Sequence, residues 1–478
     1  MRAHEAGALH ADGYGAPPWL AVPGDPNALV PALWARGVQR AGDGELTVAG
    51  IGAKQLAQEF GTPAYVLDED DFRTRARDFV TAFDRAFADL CGGADVYYAG
   101  KAFLCTEVAR WVAQEGLHLD TCTGTELAVA LRAGVDPTRI GLHGNNKSDS
   151  EHVRALEHGI GRIVVDSLAE IDRLAAAAQA LGVRAPVLLR VTVGVEAHTH
   201  SYIATAHEDQ KFGLSLSAGV AERAVARVLE HPSLELRGLH SHIGSQIFDV
   251  SGFEVAARRL LGLHALVQSR HSITLPELDL GGGFGVAYTT QHDPMQPTQI
   301  AEGMARIVAA ECAALKVEVP RISVEPGRAI AGPTTFTLYT VGTVKDVDLD
   351  GGAVRRYVAV DGGMSDNIRT ALYDADYSAT LAGRSSDAPP VLTRVVGKHC
   401  ESGDVVVKDE FLPGDVAAGD LLAVPGTGAY CRSMASNYNH VARPPVLAVR
   451  DGAARVLVRR EVEADLLALD VGWTSSVP

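Results

Sequence analysis

Unusual polar residues in this chain stand where short apolar runs stop: Gly100-Lys101, Asp120, His143-Gly144-Asn145-Asn146, Asp166, His240-Ser241-His242-Ile243-Gly244-Ser245-Gln246, Gly281-Gly282-Gly283-Phe284-Gly285 and Glu325-Pro326-Gly327-Arg328. Lys101 follows an aromatic-apolar run, where a partly desolvated amine has a lowered pKa and can form an imine with an aldehyde. Alone, it would read as a surface lysine. The glycines Gly281, Gly282 and Gly283 let backbone N–H groups approach an anion with no Cβ in the way. Alone they would read as a tight turn; followed by Glu325-Pro326-Gly327-Arg328 they point to a phosphorylated ligand. Glu325 could be satisfied by backbone donors, but a carboxylate facing a pyridine nitrogen would keep that nitrogen protonated, so that the ring could accept an electron pair. His242 is the natural group to stack on such a ring.

The elements that must position these groups repeat one unit from about residue 95 to 328: a β-branched run, a Gly/Ser/Asn/Asp-rich break, then a stretch of helical period. The runs are 96–98, 117–119, 140–142, 162–165, 186–193, 236–242, 277–280 and 321–324, with helices between them at 168–181, 217–230, 253–270 and 298–316. Alternation of this kind implies parallel pairing, and eight units close into a (β/α)₈ barrel whose active site lies at the C-terminal ends of the strands. The glycine run after strand seven falls where such barrels bind phosphate. His240 and His242 form an HxH pair of the kind barrel hydrolases use for zinc. Those enzymes carry the pair on the first strand, whereas here a lysine comes first and the last strand ends in Glu, so no metal is expected. His198 and His200, in the long loop 194–212, read as a polar lid or solvated loop. After Pro333 the texture changes to short alternating runs, a β domain, to which the first sixty-odd residues belong as an extended arm. The expected organisation is 1–68 as this arm, 69–332 as the barrel and 333–478 as a C-terminal β domain.

The bulk numbers, 478 residues with 47% hydrophobic and 21% charged, describe an ordinary soluble globular protein able to bury a large core. Net charge is −16, from 43 Lys+Arg against 59 Asp+Glu, the wrong sign for neutralising nucleic-acid phosphates. Six cysteines stand singly, without CxxC spacing, as expected in a reducing cytoplasm. The opening residues lack an apolar core for a secretion signal, and no run approaches the ~20 apolar residues of a membrane span.

The segments Tyr97-Tyr98-Ala99-Gly100-Lys101-Ala102, His240 to Gln246, Gly281 to Gly285, Glu325 to Arg328, Asp361-Gly362-Gly363-Met364, Cys400-Glu401-Ser402-Gly403-Asp404 and Gly428-Ala429-Tyr430 occur in an order that resembles the diaminopimelate decarboxylases. These are fold-type-III pyridoxal-phosphate enzymes related to ornithine and arginine decarboxylases and, more remotely, to alanine racemase. Over about residues 60–445 the resemblance implies decarboxylation of meso-diaminopimelate to L-lysine. Lys101 would be the Schiff-base lysine, His242 the ring-stacking group and Glu325 the partner of the pyridinium nitrogen. Ser245, the Gly281 to Gly283 backbone and Tyr430 would contact the phosphate. Cys400 resembles the family's interface cysteine, which reaches the partner subunit's cofactor, so a homodimer is implied. Diaminopimelate carries a distal carboxylate that ornithine lacks, and Arg369 and Tyr373, with Arg328, fit a clamp for it. Glu401 would take the distal ammonium, and Tyr430 would also face substrate. The alternatives are a decarboxylase of ornithine or arginine, which Arg369 disfavours, and a non-catalytic regulatory homologue, which Lys101, Glu325 and Cys400 disfavour. Two segments depart from the frequent family pattern, Lys398-His399 and Ser365-Asp366-Asn367.

Overall fold

The computed structural model describes residues 15–196, 204–205, 211–348 and 354–472, so His198 and His200 lie outside the described residues. The described residues form two compact units: those within 73–285 and 294–330, and those within 15–72, 286–293 and 331–472.

In the first unit, strands Ala94–Ala99, His118–Thr121, Ile140–Leu142, Arg162–Val165, Ala185–Thr192, Leu234–His240, Glu277–Gly282 and Arg321–Glu325 pair in parallel, and the last returns to the first to close the barrel. The helices begin and end where local chemistry directs. Thr123, Ser148 and Ser167 accept the backbone N–H of Glu126, Glu151 and Glu170, and Gly134, Gly159 and Gly182 end the same helices in the left-handed conformation. Strand six stops at His240, two residues short of the expected end, so His242 lies in the following loop. The backbones stay close just beyond that end: the Ser241 N–H donates to the Asp279 carbonyl at 3.1 Å, and a Cβ at Gly281 would fall 2.4 Å from the Ser241 carbonyl oxygen.

The second unit is a mainly β domain. Its main sheet runs in the order Val405–Pro413, Pro390–Val396, Val354–Val360, Thr335–Asp348, Ala64–Asp68, Val446–Arg450, Ala453–Val458, and Leu421–Pro425 also pairs with Thr335–Asp348. The N-terminal segment is more ordered than an extended arm. It holds strands Val38–Arg40, Leu46–Val48 and Ile51–Gly52, a helix Ala53–Phe60 and the central strand Ala64–Asp68. That last strand is buried at all five positions, so it lacks the alternation by which a half-solvated strand is recognised. Leu33, Trp34, Leu46, Ile51, Leu56 and Val66 share one apolar core with Phe336, Leu338, Ala423 and Leu447. Residues 286–293 leave the barrel and belong to this unit, a departure from an uninterrupted 69–332 span.

Candidate active site

Barrel strand one ends in a single 3₁₀ turn, Gly100–Ala102, that carries Lys101. Gly100 is required because a Cβ there would sit 2.8 Å from the Asp120 carbonyl oxygen. Lys101 is exposed rather than desolvated as expected; it stands at the mouth of a cavity of about 470 Å³ that Asp120, His143, Arg190, His240, His242 and Glu325 also line. Lys101, His242 and Glu325, expected together from three separate strands, therefore share one cavity.

Glu325 is buried, and its Oε1 lies 3.0 Å from His240 Nε2, 3.4 Å from His143 Nε2 and 3.9 Å from Arg162 Nη2. Burial pushes its carboxyl up, but His240, His143 and Arg162 outweigh that and hold it well below the usual carboxylate range. These contacts are close without being aligned: Glu325 Oε1 and both Nε2 atoms lack a hydrogen bond of good geometry. Burial, and then the Lys101 ammonium, depress His242 well below its ordinary value. The Gly282 N–H donates to His242 Nδ1 at 3.4 Å, an arrangement only the neutral ring accepts.

Arg162 was not singled out in the sequence, although it opens strand four. It is fully buried in the barrel interior, 2.6 Å from Asp279 Oδ2 and 3.5 Å from Asp120 Oδ1, and it donates to Ser323 Oγ at 2.9 Å. Its guanidinium lies 3.4 Å from the centre of the Tyr97 ring. Asp120 in turn lies 3.0 Å from His143 Nε2. Arg190, also missed, lines the cavity with its guanidinium over Phe212. An Arg at the start of an apolar run was the available signal, but which strand positions face the interior depends on barrel stagger. The HxH pair divides its work, His240 toward Glu325 and His242 toward the glycine run. The ligating atoms of His143, His240 and Glu325 lie within 4.8 Å of one another, a spacing a metal could use. The Arg162 cation, 3.9 Å from the shared carboxylate, opposes a dication there.

The glycine run has a tighter role than a free anion cradle. A Cβ at Gly282 would fall 2.0 Å from the Glu325 carbonyl oxygen and one at Gly283 would fall 2.2 Å from that of Gly244. The Gly281 N–H donates to Asp279 Oδ1 and that of Gly282 to His242, so two of the three expected phosphate donors are turned to the protein's own side chains. Arg328 Nη2 donates to Ser245 Oγ at 3.0 Å, placing it beside an expected phosphate contact.

In the other unit, the helix Arg369–Tyr373 starts with a buried arginine and ends with Tyr373, 61% exposed. Arg369 donates from Nη1 to Tyr377 Oη, and among the described residues no carboxylate pairs with it. Cys400 is exposed, its N–H donating to Asn439 Oδ1; Glu401 accepts from Ser402 Oγ and the Gly403 N–H; Tyr430 is half-buried with φ 62°. The two departures from the family pattern are one contact: His399 Nε2 lies 2.8 Å from Ser365 Oγ.

A parallel barrel whose mouth gathers a lysine, a histidine and a buried carboxylate has the build of an enzyme that holds an aldehyde cofactor. Residues 70–332 match the family model described as "Pyridoxal-dependent decarboxylase, pyridoxal binding domain". The chain is 56% identical to the diaminopimelate decarboxylase of Mycobacterium tuberculosis, over 93% of this chain and 98% of that one. It is 45% identical to the enzyme of that name from Bacillus subtilis, over 91% and 97%. A crystal structure of diaminopimelate decarboxylase from M. jannaschii in complex with L-lysine superposes with a TM-score of 0.85 at 30% identity, covering 93% of this chain and 99% of that one. The chain belongs to the diaminopimelate decarboxylase family.

Proposed function

We propose that this protein removes the carboxylate at the D-centre of meso-2,6-diaminopimelate to give L-lysine and CO₂, the last step of lysine biosynthesis, using pyridoxal 5'-phosphate. The observation that carries the reading is the shared cavity of Lys101, His242 and Glu325, in a chain 56% identical to a diaminopimelate decarboxylase. The cavity fits the cofactor by its unsatisfied atoms: Glu325 Oε1 is buried without an aligned partner, as a carboxylate that meets a pyridinium N–H requires.

Pyridoxal phosphate, when bound, supplies a ring that accepts the electron pair left as CO₂ departs. Lys101 would hold it covalently. Glu325, kept anionic by His240 and His143, would hold the proton on the ring nitrogen. The neutral His242 would pack on the ring without adding charge beside that nitrogen. Ser245 with Arg328, the backbone at Gly283 and Tyr430 would hold the phosphate, with Gly281 and Gly282 shaping that segment. Arg369 would bind the distal carboxylate, assisted by Tyr373 and Arg328, Glu401 would take the distal ammonium, and Tyr430 would also face the substrate. Cys400 would return a proton to the α-carbon, in a homodimer where it serves the partner subunit's site. Among the described residues no helix is long and apolar enough to cross a membrane, and a cytoplasmic location suits cysteines that form no disulfide.

The test is CO₂ release from meso-diaminopimelate beside ornithine, arginine and LL-diaminopimelate; release from ornithine or arginine alone would overturn the substrate assignment. Borohydride reduction followed by peptide mass analysis should place the coenzyme on Lys101. Lys101→Ala should lose both that adduct and turnover, while Cys400→Ala should keep the cofactor and turn over slowly.

A further inference from the structure

An arginine removed from water ordinarily faces a carboxylate, because an unpaired buried charge is strongly unfavourable. Arg369, 5% exposed, has none among the described residues. Its surroundings are aromatic. The guanidinium lies 4.6 Å from the centre of the Tyr288 ring and 5.6 Å from that of Tyr377. The two rings meet edge to face at 5.1 Å and 66°. Tyr377 Oη accepts from Arg369 Nη1 and lies 3.6 Å from Cys431 Sγ. Cys431 Sγ lies 3.5 Å from Asn367 Oδ1, which also accepts the Arg369 N–H at 3.3 Å. The string of contacts thus begins and ends on Arg369, and Tyr288, Tyr377, Asn367 and Cys431 are all buried. Arg369 Nε has no hydrogen-bond partner.

Ring faces and a phenol oxygen attract a cation through the ring quadrupole and a lone pair, yet carry no net charge. A carboxylate in the same place would neutralise Arg369, and an anionic ligand would then gain little from it. We propose that Tyr288 and Tyr377 are specificity-determining positioning residues: they fix Arg369 in one orientation while leaving its charge uncancelled, so that only a substrate with a distal carboxylate completes the pair. This rests on the decarboxylase reading above. It adds that substrate choice depends on Tyr288, which the barrel chain delivers three residues after Gly285 in the excursion 286–293.

The experiment is steady-state kinetics of the holoenzyme with meso-diaminopimelate for the wild type, Y288L, Y288F, Y377F, R369M and the double variant Y288L/R369M. Y288L should raise KM at least tenfold with kcat within about twofold, because the clamp acts on the far end of the substrate. Y288F keeps a ring face and should recover most of that loss, whereas Y377F removes the oxygen that accepts from Nη1 and should raise KM several-fold. Adding Y288L to R369M should change KM no further, since a tyrosine that acts only through Arg369 has nothing left to position. An unchanged KM in Y288L, or a further rise in Y288L/R369M equal to that of the single variant, overturns the cage and leaves the decarboxylase reading intact. A wild type that releases no CO₂ from meso-diaminopimelate overturns both. Loss of structure in Y288L is read from its thermal transition, and Y288F and Y377F then decide the matter by the same KM criterion.

Discussion

Two arginines are almost equally hidden in this chain, Arg162 at 1% exposure and Arg369 at 5%, and they live in opposite electrostatic worlds. Arg162 stands among Asp279, Asp120 and Glu325, with Ser323 as a further partner and Tyr97 beneath it. Arg369 has two tyrosines and no carboxylate among the described residues. Burial alone therefore does not tell a structural charge from a functional one. A cation whose counter-charges are supplied by its own chain holds the fold, and a cation without them is poised for an anion that arrives from outside.

The largest effect should come from breaking the compensated site. Arg162→Met leaves three carboxylates crowded in the barrel interior, and loss of one partner of a buried ion pair costs about 3–5 kcal/mol. Urea denaturation should show that loss or a failure to fold, and a change within about 1 kcal/mol would mean the cluster repacks without its cation. Arg369→Met should do the reverse. Its thermal midpoint should hold or rise, while KM for meso-diaminopimelate climbs at least about 30-fold, the lower end of the 2–5 kcal/mol typical of a truncated buried charge pair.

A third test grades the compensation itself. Glu325 is held well below its ordinary value, first against burial, then by His240 and His143. A carboxylate with a depressed folded pKa contributes stability above its unfolded value, and that contribution is lost as pH falls through the folded one. His240→Leu removes the nearest of the side chains that lower Glu325, so Glu325 should take up its proton at higher pH. Coenzyme affinity of the apoprotein should then begin to fall at a higher pH than in the wild type; an unshifted acid limb would show that His240 does not set the charge of Glu325.

A last test, away from either arginine, lies in the β unit, where burial pushes Asp366 up to about 7 and Glu410 up to about 7. Both carboxyls are raised, so their stabilisation is fully present below the unfolded values and lost as pH rises through about 7. Thermal midpoints of the apoprotein should decline from pH 5 to pH 8, each group contributing at most about 1.4 kcal/mol per pH unit. Asp366→Asn with Glu410→Gln should flatten that slope, and an equally steep decline in the double variant would assign it to other groups.

Much of the site was readable before the fold was known, because the chemistry sits at the ends of short apolar runs whose period was clear. Lys101, His242 and Glu325 were found that way. Arg162 was passed over because a cation at the start of a strand reads as a surface residue until barrel stagger turns it inward. Tyr288 was hidden differently, in a connecting segment that belongs to neither period. The strand Ala64–Asp68 escaped because full burial removes alternation.

By itself the amino-acid order determined the alternation of strand and helix, the turn glycines and capping residues, and the polar groups at each strand end, since all of these follow from contacts between near neighbours along the chain. Which buried charges meet was decided only in three dimensions: Arg162 and Ser323, 161 residues apart, touch because the barrel closes. The difference between a neutralised arginine and a waiting one is a matter of what surrounds it, and one residue's type carries no record of its surroundings.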